Sequence, residues 1–255
     1  MPGRHKEIGV HTIGLNNIFR GMYTLVIKDK EYKLPEDLTI DKWIEITKFD
    51  IGLSFNHKKI VSLSFDIPYE EVDIIPEKTI QLLVSFIYVM IYPEHQPLQK
   101  DYMGGEYIDL NGITLGKFID MEIYLSEGLN KSIKSIVETL WGVKPTEDFM
   151  ISGVWKGIQN FIDYRNSLYK NYTNLFGGED DGYVQVETKQ TTQDIKKIWY
   201  DIILTLADGN FLYIDEVTDK SLVSAFNWLA WNKDRMEKQK EEIKKNDLQR
   251  NHRHI

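Results

Sequence analysis

The side chains that could do chemistry are few and scattered. Six histidines occur, His5, His11, His57, His95, His252 and His254. No two are three or four residues apart, the spacing that turns a pair of imidazoles to one helix face toward zinc. His252-Arg-His254 has the donors to touch a metal, but it sits in a charged terminal tail where a solvated pair is the simpler reading. The chain has no cysteine, so thiolate ligands, a cysteine nucleophile and disulfides are excluded together.

Gly104-Gly105 and Gly177-Gly178 are isolated turn pairs and not phosphate-binding loops. Glu179-Asp180-Asp181 lacks the alternating oxygen ligands and closing glutamate of an EF-hand. Glu70-Glu71 and Asp120 with Glu122 are spaced so that helical carboxylates diverge, which suits a solvated face. Asp101, Glu106 and Asp109, in the loop-like stretch 94–112, are the carboxylates a hidden enzyme would gather, but no nucleophile accompanies them. The triplets Asn130-Lys-Ser132 and Asn171-Tyr-Thr173 match a glycosylation acceptor by chance, since no secretory signal precedes them. The expectation is a protein that is not an enzyme, with no catalytic or metal-ligating residue and no cofactor.

Composition narrows the alternatives. At 255 residues, 42% hydrophobic and 12% aromatic, the chain can bury a proper core. A formal net charge of -8 gives nothing to the counterion release that drives nucleic-acid binding, so no nucleic-acid partner is expected. The most apolar stretch, 80–92, is too short to cross a bilayer and reads as a buried helix. A protein dispersed in cytoplasm, with no membrane partner, follows as the expectation.

The elements that would position these residues are mostly helices. Residues 1–22 read as an N-terminal arm. Tyr23-Thr-Leu-Val-Ile-Lys28 alternates as a strand, Asp29-Lys30 turns, and Glu31-Tyr-Lys-Leu34 returns. Thr39 then caps a helix carrying Ile40, Trp43, Ile44 and Ile46, which completes a ββα start with a ubiquitin-like module as one option. Short helices follow from Lys58. Pro76 opens a longer one bearing Ile80, Leu83, Val84, Ile87 and Ile91, and Pro93 stops it. Tyr107-Ile-Asp-Leu110 reads as a short strand. Thr114 caps a helix that Gly128 closes, and Asn130 caps another that Gly142 ends.

Apolar residues from Ile151 to Leu168 mark a third helical region. The stretch 175–193 reads as an exposed loop with a short edge strand at Tyr183-Val-Gln-Val-Glu187. Thr192 opens a helix with Ile195, Ile198, Trp199, Ile202, Ile203 and Leu206 on its buried side, Phe211–Asp215 is ambiguous, and Thr218 caps the last helix. No internal repeat of fixed period stands out. The fold expected is mainly α with a small β-hairpin: an N-terminal ββα module, a multi-helix bundle and a long charged C-terminal helix. The divisions read are 1–22, 23–142, 143–217 and 218–255.

The C-terminal helix is the most informative element. It starts apolar at Leu222, Val223, Phe226 and Leu229, then turns almost wholly charged from Lys233 to Lys245. Trp228, Trp231 and Met236 sit near or beyond the end of its apolar stripe and are the candidate protein-binding residues.

Several segments together resemble a known family. They are Tyr32-Lys-Leu-Pro-Glu-Asp-Leu-Thr-Ile-Asp-Lys-Trp-Ile-Glu-Ile46, the segment Ile60 to Val72, Gln81-Leu-Leu-Val-Ser-Phe86, Gly112-Ile-Thr-Leu-Gly-Lys-Phe-Ile-Asp-Met-Glu122, and Ala225-Phe-Asn-Trp-Leu-Ala-Trp-Asn-Lys-Asp234. Their succession resembles the tail-assembly-chaperone-like proteins of tailed bacteriophages, especially those of gut Bacteroidota. The likeness covers residues 23–142 and the last helix, and not 143–217. It implies a non-enzymatic morphogenesis protein that keeps the tape measure or another tail protein soluble in the host cytoplasm. The alternatives are a structural subunit retained in the virion as a connector, ring or baseplate component, with neighbouring virion subunits or further copies of itself as partners, and an enzyme of unknown type.

Overall fold

A computed structural model describes residues 24–176 and 191–252. The arm 1–22, the acidic triplet at 179–181 and the strand expected at 183–187 lie outside the described residues. The described chain is mainly α-helical, with two small antiparallel hairpins and a long last helix. It divides into two compact units, interleaved in sequence: 24–106 with 133–158, and 107–132 with the described residues from 159 onward.

The first unit opens with β1 (Thr24–Ile27) paired to β2 (Lys30–Lys33). Lys28 and Asp29 make the two-residue turn at φ 49° and 67°, the left-handed pair that matches strand twist. Period two turns Leu25 and Ile27 into the core. The sheet stops at two strands, so the described residues do not build a ubiquitin-like module. Helix α1 (Ile40–Ile46) starts as expected, with the Thr39 hydroxyl accepting from Lys42 N at 3.2 Å. Helices α2 (His57–Phe65), α3 (Tyr69–Val72) and α4 (Glu77–Ile91) follow. The Trp43 indole is buried and donates to the Ile91 carbonyl at 3.1 Å, tying α1 to the end of α4.

Strands β3 (Asp101–Tyr102) and β4 (Gly105–Glu106) form a second hairpin inside the stretch read as loop. Its turn, Met103-Gly104, again has positive φ at both residues. Tyr107-Ile-Asp-Leu110 is not a strand. The Asp109 carboxylate accepts from Asn111 N at 3.0 Å and starts a 3-10 turn at Leu110–Gly112 instead.

The second unit contains α5 (Leu115–Glu127), α8 (Thr173–Phe176), α9 (Thr192–Leu206), α10 (Ile214–Thr218) and α11 (Leu222–His252). Two further helices, α6 (Leu129–Trp141) and α7 (Ile151–Asn171), contain two of the three points at which the sequence passes between units, the other falling after Glu106. Thr218 ends α10 rather than capping α11, because the Ser221 carbonyl already accepts the first helical bond of α11 from Ala225 N, at 3.0 Å. The core of this unit gathers on Phe118, whose ring lies 5.8 Å from Phe161, 5.8 Å from Trp199 and 5.9 Å from Phe226. Beside them the carboxylate of Glu122, 6% exposed, is held by Arg165. Arg165 Nη2 donates at 3.0 Å, its Nε makes the second bond, and the guanidinium lies 4.8 Å over the Tyr169 ring.

A repeated device emerges that the sequence reading did not find. Residues 24–43 and 99–118 align without a gap. Glu31, Tyr32, Thr39 and Lys42 are matched by Glu106, Tyr107, Thr114 and Lys117, and the turns coincide at positive φ. Both threonines cap by accepting from the lysine amide three residues on. Each also makes an isolated antiparallel bridge, Thr39 with Met150 and Thr114 with Ser221, directly before another helix. The aromatic residues behind the caps then meet equivalent partners: Trp43 lies 6.2 Å from Trp155, and Phe118 lies 5.9 Å from Phe226. The same succession of hairpin, cap and aromatic pair thus occurs twice in the chain, and the division between units falls directly after the second hairpin. Few identities carry the likeness, so only the matched geometry makes it visible.

Candidate protein-binding surface

In the second unit α11 buries Leu222 and Phe226. Trp228 and Trp231, three residues apart, share a different face and are 41% and 56% exposed. Trp231 is held by the Arg235 guanidinium, 4.9 Å over its ring. The root of the helix is fixed to the segment 172–174, since the Tyr172 hydroxyl donates to Asn227 Oδ1 at 2.8 Å and Lys233 Nζ donates to the Asn174 carbonyl. With its ring covered by Arg235, Trp231 loses little freedom on binding.

Trp228 rims a surface groove of about 490 Å³. Leu206, Ala207 and Asp208 at the end of α9, Tyr213, Glu216 and Val217 around α10, and Lys220, Ser221, Ser224 and Ala225 leading into α11 line the rest. The α9–α10 connection forms because Asp208 and Gly209 take positive φ, and because Asn210 accepts from Leu212 N at 3.1 Å to start a 3-10 turn. That turn leaves Phe211, Leu212 and Tyr213 exposed, at 70%, 71% and 52%. An amphipathic partner helix has both an apolar trough and aromatic rims to meet here.

Of the residues singled out in the sequence, the structure puts Trp228 at the rim of the groove, sets Trp231 on the same helix face one turn further, and sets Met236 apart. Met236 follows Trp231 by five residues and lies on the stripe of Leu229 and Ile243, seven residues away on either side. Phe211, Leu212 and Tyr213 were missed. Their signal was a run of four large residues, Phe211 to Ile214, between a Gly turn and an acidic pair, too short to show any period.

Several of the other candidate groups have structural partners, and Glu122, expected on a solvated face, is instead buried against Arg165. Glu71 binds Lys30 at 2.5 Å and Tyr32 at 2.5 Å, and these bonds hold its carboxyl below the ordinary range. Asp101 and Glu106 are cross-strand neighbours in the second hairpin, and Asp109 starts its 3-10 turn. Burial pushes the Tyr169 hydroxyl up, and the adjacent Glu122 charge adds to it. Asp37 is raised by burial, while bonds from Ser152 and Leu38 N pull the other way. His57 Nε2 lies 2.9 Å from the Ile51 carbonyl. Among the described residues no group of three or more His, Asp or Glu could hold a metal ion, and no helix is long and apolar enough to cross a membrane.

Compared with protein-family models, with curated proteins and with solved structures, the chain matches none. The functional reading therefore rests on the geometry of this chain and on the resemblance described above.

Proposed function

We propose that this chain works by binding another protein through the Trp228–Trp231 face and its adjoining groove. The partner segment is an amphipathic helix. The observation that carries the reading is the pairing of a 490 Å³ groove with two half-exposed tryptophans on one helix face. The resemblance supplies the biological setting, in which the chain is a phage tail assembly chaperone. A tape measure protein is long, helical and apolar along one side before the tail tube encloses it. Covering that side prevents aggregation, and a net charge of -8 keeps the complex dispersed.

The test is co-expression with the tape measure protein of the same phage. The expected result is a soluble complex that the double change Trp228→Ala and Trp231→Ala weakens by at least about 30-fold, the effect of losing one hot spot of about 2 kcal/mol. No complex, or a complex indifferent to both changes, overturns the proposal. Mass spectrometry of purified particles separates a chaperone, depleted there, from a ring or baseplate subunit present in fixed copy number.

A further inference from the structure

Helix α4 in the first unit is apolar on two sides. Its inner side buries Ile80, Leu83, Ile87 and Ile91. Its outer side presents Leu82, 58% exposed, and Val89, 65% exposed, with Tyr88 and Tyr92 flanking them. A helix apolar all round is normally enclosed on every side. Here the expectation of a buried helix is met on one face only.

The outer face has the properties of a surface that meets itself. From Thr79 to Pro93 no residue is charged, in a chain of which 27% is charged. Two copies of a protein with net charge -8 repel each other over most approaches, and this face lacks that repulsion. A charged partner segment would find nothing here to pair with. The face is also ordered. The Tyr88 and Tyr92 rings lie 5.0 Å apart, and Tyr92 meets the edge of Trp155 at 5.8 Å. The Ser85 hydroxyl at its centre donates to the Gln81 carbonyl of its own helix at 2.9 Å, so burying it leaves no unpaired donor.

We propose that α4 is the interface of a two-fold dimer of this chain, with the two copies of the helix packed antiparallel across Ser85. In that register Leu82 of one copy meets Val89 of the other, and the symmetry makes the contact twice. Two such faces cover on the order of 1,000 Å² in all, the lower end for a specific interface, so the dimer is reversible. It uses none of the residues of the Trp228–Trp231 surface.

Sedimentation velocity on the full chain from about 1 μM to about 100 μM tests this. The expected mass rises with concentration from 29.9 kDa toward twice that value. Leu82→Glu and Val89→Lys each weaken self-association at least about 10-fold. Mixing the two variants restores a dimer, because the carboxylate introduced at position 82 of one copy then faces the ammonium introduced at position 89 of the other. Both positions are exposed, so circular dichroism should show unchanged folding. A chain that stays monomeric throughout overturns the proposal, including the case in which residues 1–22 cover the face. A dimer indifferent to both substitutions, or variants that do not re-pair on mixing, overturns it too. Trp228→Ala with Trp231→Ala should leave the dimer intact, so failure of one proposal is separable from failure of the other.

Discussion

Replacing Arg165 by methionine tests how the second unit is held together. The change removes both hydrogen bonds to Glu122 and the guanidinium over Tyr169, and leaves a carboxylate that is only 6% exposed without its counter-charge. Stranding one member of a buried pair costs about 3–5 kcal/mol. The converse change, Glu122→Leu, strands the guanidinium. The Arg165 side chain is 19% exposed and can reach water, so about 1–3 kcal/mol is expected. The double variant removes both charges and keeps apolar volume against Phe118 and Tyr169, so it should cost no more than about 1–2 kcal/mol. Urea unfolding of all four proteins closes the cycle, with an expected coupling of at least about 2 kcal/mol. By calorimetry Arg165→Met should melt about 10 °C lower, at roughly 2–4 °C per kcal/mol for a domain of this size class. Additive single effects, or an Arg165→Met shift below about 2 °C, would refute the claim that this pair is a coupled unit.

The remaining predictions concern local devices. Thr39→Ala and Thr114→Ala should each lose about 1 kcal/mol in urea unfolding, because each hydroxyl caps one helix in the same way. If one is silent, the two caps are not equivalent. Gly153→Ala should destabilise by about 1–3 kcal/mol although alanine favours a helix interior, since a Cβ there would overlap the Tyr102 ring. That ring is fixed by Phe149 at 5.3 Å and by Met150 N donating to its hydroxyl at 2.9 Å, and a raised melting temperature would show that it moves freely. Glu71→Gln should flatten the acid side of the stability profile. The folded carboxyl is lowered from 4.5 by its Lys30 and Tyr32 bonds, so its contribution is complete above that pH and is lost as pH falls through the folded value. Melting temperatures of both proteins from about pH 7 to about pH 3 should converge at the acid end, and a constant gap would contradict the assignment.

Much of the fold was legible because local rules sufficed. Thr39 and Thr114 announced caps, Asp29 fell in a two-residue turn between alternating strands, and Gly128 and Gly142 took the positive φ of helix ends. Reading failed where competing local bonds were invisible. Asp109 could serve a strand or a 3-10 turn, and only its hydrogen bond to Asn111 N decided between them. The surface was half legible. Trp228 and Trp231 stood out because they follow an apolar stripe into charge, whereas Phe211, Leu212 and Tyr213 join no periodic pattern.

By itself the sequence determined most of the helices and the caps at Thr39 and Thr114, because period and capping are properties of neighbouring residues. Thr218, by contrast, ends a helix, Asn130 lies inside one, and Ile198, expected on a buried side, is 43% exposed. Tertiary structure alone decided which partners the helix faces meet. It placed Arg165 against Glu122, matched the Thr39–Met150 bridge with that of Thr114 and Ser221, and left the outer side of α4 uncovered. Each of these depends on residues far apart in the chain, and an apolar side chain has the same local signature whether its second face is covered or open to water.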